Sequence, residues 1–413
     1  KKNHKKMTNQ SDKIVILGAG VIGLSVCHQL LLDLSTVSKR KTKPSIKIVA
    51  KHFPLKDIND YTSEYTSPWA GAHFRPFPHR LNVDDVTYSS DKRESGYTRE
   101  TMNFFLANKK YLEQHASSVQ IMKGQDFLEN PTPEYVNLLS GYNSASLDGF
   151  KQATPPTIAS KTETARISFG YEYNTFCLNA PEYLNFLMQE IKKLSIQYDI
   201  PVEFVNETVS CLKYASAKYE ASLVFNCSGL GMAWDSATCK QDPNCYKIRG
   251  QTLLVDVPSH YTSVKSPYDE KTITYQTGEK DWTFVIKRPD PQDPYNSLKR
   301  KFIIGGTKQP FDCQTTPRAS DTAELIFRAK KLFPDLLDPA TGEFKIAKIN
   351  VGFRPARTGG SKVDLQYCRF SNDSKPVGVV NCYGFGGMGF ECSVGAAKHS
   401  IELYHQYIRQ AKL

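Results

Sequence analysis

Residues 352–360 read GFRPARTGG, placing Arg354 and Arg357 three residues apart, with Pro355 after the first and Gly359-Gly360 after the second. A guanidinium is a planar fork of donors that meets a carboxylate through two parallel hydrogen bonds, a match lysine does not reproduce. Removed from water, such cations are costly unless something negative faces them. Proline fixes the backbone next to Arg354, so the stretch predicts a stiff turn that presents a cation. Either this turn is a surface feature or it catches a carboxylate.

A second chemical signal lies near the start. Gly18-Ala19-Gly20-Val21-Ile22-Gly23 fits GxGxxG, after the apolar run KIVILGAG (13–20) and before helically spaced VIGLSVCHQLLLDL. The first glycine permits a tight turn, the second lets the backbone approach a pyrophosphate, and the third lets helix and strand pack closely. The phosphate rests on the unpaired N–H groups of the helix start. SIKIVAK (45–51) completes a β-α-β unit as a second buried strand. An acidic residue is expected at its end to hold a ribose, but Lys51 and His52 stand there. Either the ribose is held differently or a charged phosphate lies nearby.

The elements that must position these residues follow from periodicity. Residues 98–116 and 180–198 predict helices, and 78–170 is otherwise polar. Strands at 201–209 and 221–231 return to the first sheet. RGQTLLVDV (249–257), KTITYQT (271–277), WTFVIKR (282–288) and KFIIGG (301–306) predict an antiparallel sheet in a second domain. Residues 322–336 predict a helix, 377–385 a strand running into glycines, and 393–410 a terminal helix. The fold class is α/β, with a Rossmann-like dinucleotide-binding domain and an α+β domain built on an antiparallel sheet.

The 413 residues are 40% apolar and 23% charged, the composition of a globular protein with room for two domains. No apolar run reaches the roughly 20 residues of a membrane span. The polar start KKNHKKM lacks the form of a secretory signal, and Met7 is a candidate native start with Lys1–Lys6 a tail. The net charge of +11 is dispersed, densest at 38–43 and 298–301, and no nucleic-acid-binding fold accompanies it. A basic surface of this kind steers anionic substrates. None of the ten cysteines is in CxxC spacing, so the reading is reduced thiols and no metal site. Ala411-Lys412-Leu413 is a variant of the SKL peroxisomal address, read by an import receptor.

Together with the glycine turn, four further segments resemble the flavin-dependent D-amino-acid oxidase family, which includes D-aspartate oxidases. They are TSPWAGAHFRPF (66–77), VFNCSGLG (224–231), NVGFRPARTGG (350–360) and VVNCYGFGGMGFECSVGAA (379–397). The resemblance runs from about 13 to 413, with insertions near 33–44, 78–170 and 289–299, and is closest to fungal members. One departure lies in the C-terminal motif, where Asn381 replaces a histidine and Cys382 follows it.

The resemblance implies FAD as cofactor, in a discontinuous domain of residues 13–77, 200–232 and 345–413. Residues 78–199 and 233–344 form the substrate and interface domain, and a homodimer is left open. It implies oxidation of a D-amino acid by hydride transfer to flavin, then hydrolysis to a 2-oxo acid and ammonia, with molecular oxygen becoming hydrogen peroxide. Neutral D-amino acids are the first reading and D-aspartate the alternative. A sarcosine-type amine oxidase and a flavin protein without oxidase activity are the other classes.

By the same resemblance Arg354 binds the substrate carboxylate, while Arg357 is structural. Tyr275 adds a hydrogen bond to that carboxylate. Phe284 stands in place of a second tyrosine, keeping the apolar wall but losing the hydroxyl. The Gly387 carbonyl meets the substrate amine. Gly386, Gly387, Met388, Gly389, Phe390 and Glu391 line the flavin, with the positive end of the following helix at its C2 carbonyl. Glu391 replaces a neutral residue and is therefore either protonated or turned away. Thr66, Ser67, Ala70, Gly71 and Ala72 run along the cofactor, Val209 meets its adenine end, and Cys227, Ser228 and Gly229 lie near the flavin. His73 is structural or, with Arg75 and Lys280, meets an acidic substrate side chain.

Overall fold

The computed structural model describes residues 12–36, 43–80, 82–84, 87–115, 118–155, 167–237, 240–261, 264–278, 281–289 and 300–410. Lys1–Lys6, most of the basic run at 38–43, Lys280 and Ala411-Lys412-Leu413 lie outside them.

The apolar runs pair as buried parallel strands. β1 (Lys13–Leu17) lies between β2 (Ser45–Ala50) and β7 (Leu223–Asn226). β6 (Val202–Asn206) extends one side; β15 (Val377–Tyr383) and the antiparallel edge strand β14 (Lys362–Cys368) extend the other. The order is β14-β15-β7-β1-β2-β6. All residues of β15 and β7 are buried, as both faces of a covered parallel sheet require.

The second sheet is mostly antiparallel. Its order is β12 (Gln309–Pro310), β8 (Cys245–Asp256), β11 (Lys301–Gly305), β10 (Asp281–Arg288), β9 (Lys271–Thr277), β3 (Val119–Leu128), β5 (Phe169–Leu178), β4 (Lys151–Gln152). β13 (Ile346–Arg357) runs along β8 from Ile346 opposite Val255 to Arg357 opposite Cys245. One face of this sheet packs on α7 (Ala319–Leu332) through Leu325, Ala329 and Phe333.

Around the first sheet are α1 (Val21–Thr36), α2 (Tyr88–Ala107), α5 (Ala180–Tyr198) and α8 (Gly389–Gln410), with α3 (Lys109–His115), α4 (Pro133–Asn137) and α6 (Leu212–Tyr219) as short connectors. Leu30 of α1, Phe105 of α2, Leu187 of α5 and Ala396 of α8 share one core. α2 meets α8 so closely that a Cβ on Gly395 would lie 2.5 Å from the Tyr97 Cα.

Four features differ from the sequence reading. GFRPAR is the end of a strand, not a turn; the chain reverses after it, where Gly359 and Gly360 have φ of 81° and 84°. Proline is tolerated there because β13 has a ladder partner on one side only. Residues 346–357 therefore belong to the antiparallel sheet rather than to the nucleotide-binding sheet. α2 and α5 pack on the nucleotide-binding side although they fall in 78–199. Finally, α2 begins at Tyr88, and the polar 78–170 stretch also supplies β3 and β4, with β5 following at Phe169.

β8 is held in place by Arg249, which is fully buried. Its Nη1 donates to Asp321 Oδ2 and Gln309 Oε1, both at 2.7 Å, and its Nη2 to Gln251 Oε1 at 2.8 Å. Nε and Nη2 also reach the Gln314 and Thr316 carbonyls at 2.8 Å. Removing one partner of such a group strands the rest without water. Arg249→Ala should therefore lower the unfolding free energy by about 3–5 kcal/mol, measured by urea denaturation.

Candidate functional site

A cavity of about 640 Å³ opens between the carboxyl ends of the parallel strands and the second sheet. This is the switch-point location where open α/β folds bind ligands, and the volume suits a cofactor. Its wall includes Gly18, Ala19, Gly20, Val21 and Ile22 of the glycine turn and Lys51 and His52 beyond β2. Thr66, Ser67, Ala70, Gly71, Ala72 and His73 form one side, with Val209, Cys227, Ser228 and Gly229 opposite. Phe284, Arg354, Gly386, Gly387, Gly389, Phe390 and Glu391 close the far end.

Gly23, Met388, Tyr275 and Arg75 are not on that wall, each for a physical reason. Gly23 lies behind the turn: a Cβ there would meet the Gly18 carbonyl oxygen at 2.0 Å, so its absence lets helix and strand touch. Met388 packs against the core around the first sheet. Tyr275 faces the wrong side of β9. Phe284 pairs with Thr274 and Thr283 with Tyr275, so alternation sends Tyr275 into the α7 core. Its ring lies 5.3 Å from Phe127 and 5.9 Å from Phe333. It is not on the cavity wall, where the resemblance puts it.

The glycine turn has the shape of a phosphate cradle. Gly18 has φ of 104°, and a Cβ there would strike the Cys227 carbonyl oxygen at 2.4 Å. The Ser67 hydroxyl accepts from the Val21 N–H at 3.1 Å, fastening the 66–72 segment to the helix start. These residues fit a dinucleotide-type cofactor.

At the other end the two arginines of 352–360 part company. Arg357 Nε donates to Asp242 Oδ2 at 2.8 Å, and the Tyr383 hydroxyl donates to the same oxygen at 2.9 Å. Burial alone would raise the Asp242 pKa, but the bonds from Arg357 and the Asn244 N–H outweigh it and hold the carboxylate at about 2. Arg354 has a different environment. Its Nη1 donates to the Thr307 carbonyl at 3.0 Å, and no carboxylate among the described residues pairs with it. Burial pushes its pKa down. Room for the guanidinium comes from Gly250, whose Cβ would lie 2.6–2.7 Å from its nitrogens and Cζ. The Pro355 carbonyl accepts from the Gly386 N–H at 2.8 Å, which brings Gly387 to the side of Arg354.

Phe284 and Ile286 make the apolar floor. Gly305 and Gly71 lie against them, where a Cβ would come within 2.3 Å of Phe284 Cζ and 2.9 Å of Ile286 Cδ1. His73 Nε2 is buried without a partner among the described residues. Burial, then the neighbouring Arg75, lowers its pKa to about 3, so it is neutral. Arg75 itself is turned from the cavity: Nε lies 3.3 Å from Asp126 Oδ1, Nη2 donates to the Tyr135 hydroxyl at 2.8 Å, and the guanidinium sits 4.2 Å over the Trp282 ring. Glu391 Oε1 accepts the Arg75 backbone N–H at 3.0 Å. Burial pushes its carboxyl up to about 8 against the pull of that bond and of Arg75. It faces the cavity and is protonated at neutral pH.

The wall also holds residues that sequence reasoning missed, among them Glu64, Lys247, Gly250 and Thr252. The alternation of β8 carried a signal for Gly250 and Thr252. Nothing local marked Glu64.

The fold and cavity define a dinucleotide-binding architecture. Residues 13–403 match the family of FAD dependent oxidoreductases (DAO), and the chain belongs to that family, with FAD as its cofactor. It is 31% identical over 402 residues to a D-amino-acid oxidase from Schizosaccharomyces pombe, covering 96% of this chain and 97% of that one. It is 30% identical over 404 residues to a D-aspartate oxidase from Talaromyces thermophilus, covering 95% and 94%. Among solved structures, glycine oxidase from Bacillus cereus shares the fold, with a TM-score of 0.64 over 96% of this chain and 98% of that one at 14% identity.

The Glu391 carboxyl has its folded pKa raised from 4.5 to about 8, so the native state holds a proton that the unfolded chain has lost. Stability therefore falls as pH rises through this window. Glu391→Gln should remove that component. Its unfolding free energy should therefore rise steadily relative to the parent's from pH 4.5 to 8, so that the variant gains relative stability, as read from urea denaturation at each pH.

Proposed function

We propose that the protein oxidises neutral D-amino acids to imino acids, which water converts to 2-oxo acids and ammonia. The observation that carries this reading is Arg354: a guanidinium on the cavity wall with a carbonyl and, among the described residues, no carboxylate opposite it. A substrate α-carboxylate supplies the missing counter-charge in bidentate form. The Gly387 carbonyl, beside Arg354, accepts from the substrate amine. Holding both groups fixes the orientation of the α-hydrogen and thereby the handedness accepted, and alignment of this kind contributes much of the barrier lowering. FAD, when bound, supplies the two-electron acceptor, and molecular oxygen regenerates it with release of hydrogen peroxide. Phe284, Ile286 and the neutral His73 and Glu391 offer the side chain an uncharged setting.

An acidic side chain finds less support. Arg75 is engaged by Asp126, and His73 is uncharged. Lys280 lies outside the described residues.

Arg354→Ala should keep its flavin spectrum but lose kcat/KM for D-alanine by at least about 100-fold, since two charge-assisted hydrogen bonds at about 1.5–3 kcal/mol each are removed. A peroxide assay on D-alanine, D-aspartate and L-alanine is the measurement. The parent should turn over D-alanine faster than D-aspartate and leave L-alanine untouched; unchanged kinetics in the variant would remove Arg354 from the site.

A further inference from the structure

In a β-α-β dinucleotide site, a carboxylate at the end of the second strand accepts hydrogen bonds from the ribose hydroxyls. Here β2 ends at Ala50, with Val49 level with Leu17 just before the glycine turn, so Lys51 stands where that acid belongs. A free lysine at this point would suit a ribose carrying a phosphate. Lys51 is not free. Its Nζ donates to Glu64 Oε2 at 2.6 Å, and His52 Nε2 lies 3.4 Å from the same oxygen.

Glu64 comes from a different chain segment and reaches the same end of the cavity, whose wall it lines. Hydrogen bonds from Lys51 and then His52 hold its carboxyl below the ordinary range, so it is ionised. Both contacts fall on Oε2, which leaves the lone pairs of Oε1 to a ligand. Its position is not left to a loose loop. The next residue, Tyr65, donates its hydroxyl to the Ala19 carbonyl of the glycine turn at 2.5 Å and stacks its ring on His52 at 6.0 Å. Thr66 donates to the Phe353 carbonyl at 2.6 Å.

Glu207, the other acid at this end, is committed elsewhere. Lys218 Nζ reaches both of its oxygens at 2.7 Å, and the Tyr219 hydroxyl donates to Oε2.

We infer that Glu64 is the ribose-binding carboxylate of this chain: oriented by Lys51 and His52, it accepts hydrogen bonds from the adenosine ribose hydroxyls of FAD. The acid has moved from the strand end to the 61–66 segment, and a lysine has taken the strand end to hold it. Lys51 is thus a positioning residue. With its charge neutralised, the site selects an unmodified ribose diol over a phosphorylated one. This inference rests on the cofactor of the family and is independent of the substrate.

The test uses full-length protein stripped of flavin, titrated with FAD and with an FAD analogue lacking the adenosine 2′- and 3′-hydroxyls, followed by quenching of flavin fluorescence. The parent should prefer FAD by about 10- to 100-fold, the range of a hydrogen bond to a charged group. Glu64→Gln should lose most of that preference while binding the analogue as the parent does. Adding Lys51→Asp to Glu64→Gln returns a carboxylate to the strand end and should restore the preference. The inference is overturned if Glu64→Gln keeps the parent's preference for the diol. It is equally overturned if that variant weakens both flavins alike, which would assign Glu64 to the fold.

Discussion

A guanidinium taken out of water without a counter-ion is among the costlier things a protein can hold, because the lost hydration is repaid only by charge or good hydrogen bonds. Arg354, half-buried on the cavity wall, bears part of that cost, with one backbone carbonyl and no carboxylate among the described residues to offset it. Much of the surrounding structure is arranged so that it can stay. β13 presents it from a strand backed by β8 along its length. Gly250 leaves its space, and the hydrogen bond from Gly386 to Pro355 draws the glycine-rich loop before α8 to its flank. The two sheets thus converge on one cation, which the antiparallel sheet carries and the parallel sheet faces across the cofactor cavity.

Three other arginines are treated differently. Arg249, Arg75 and Arg357 each meet a carboxylate, from Asp321, Asp126 and Asp242. Each also ties one element to another: β8 to α7, the 73–77 segment to β3, and β13 to the loop before β8. Their role is to fix the frame within which Arg354 stays unneutralised. The contrast between Arg354 and Arg357, three residues apart on one strand, is the clearest instance, and it is set by which element each side chain meets.

Much of this was legible before any coordinates. The glycine turn announced itself because three glycines, an apolar strand and a helical pattern all agree on one geometry. The second sheet was legible from alternation in 271–277 and 282–288. What failed depended on information that a linear pattern does not contain. The resemblance places Tyr275 at the site, but the register of β9 against β10 turns it to the α7 core. GFRPAR reads as a turn by composition, yet an edge position lets a proline sit in a strand. β3 is interrupted by polar Gln120, Lys123, Gln125 and Asp126, and Asp126, itself buried, is polar because it pairs with the half-buried Arg75. Glu64 was invisible, since its partner Lys51 is thirteen residues away across a loop, and only the fold brings them within 2.6 Å.

Arg354 is held ready for a ligand carboxylate. The most direct measurement is a crystal structure of the flavin-loaded protein with a 2-oxo acid, the product class of the proposed reaction. Both carboxylate oxygens should lie on the Arg354 guanidinium at about 2.7–2.9 Å. A ligand carboxylate bound elsewhere in the cavity, with Arg354 still holding only the Thr307 carbonyl, would contradict it.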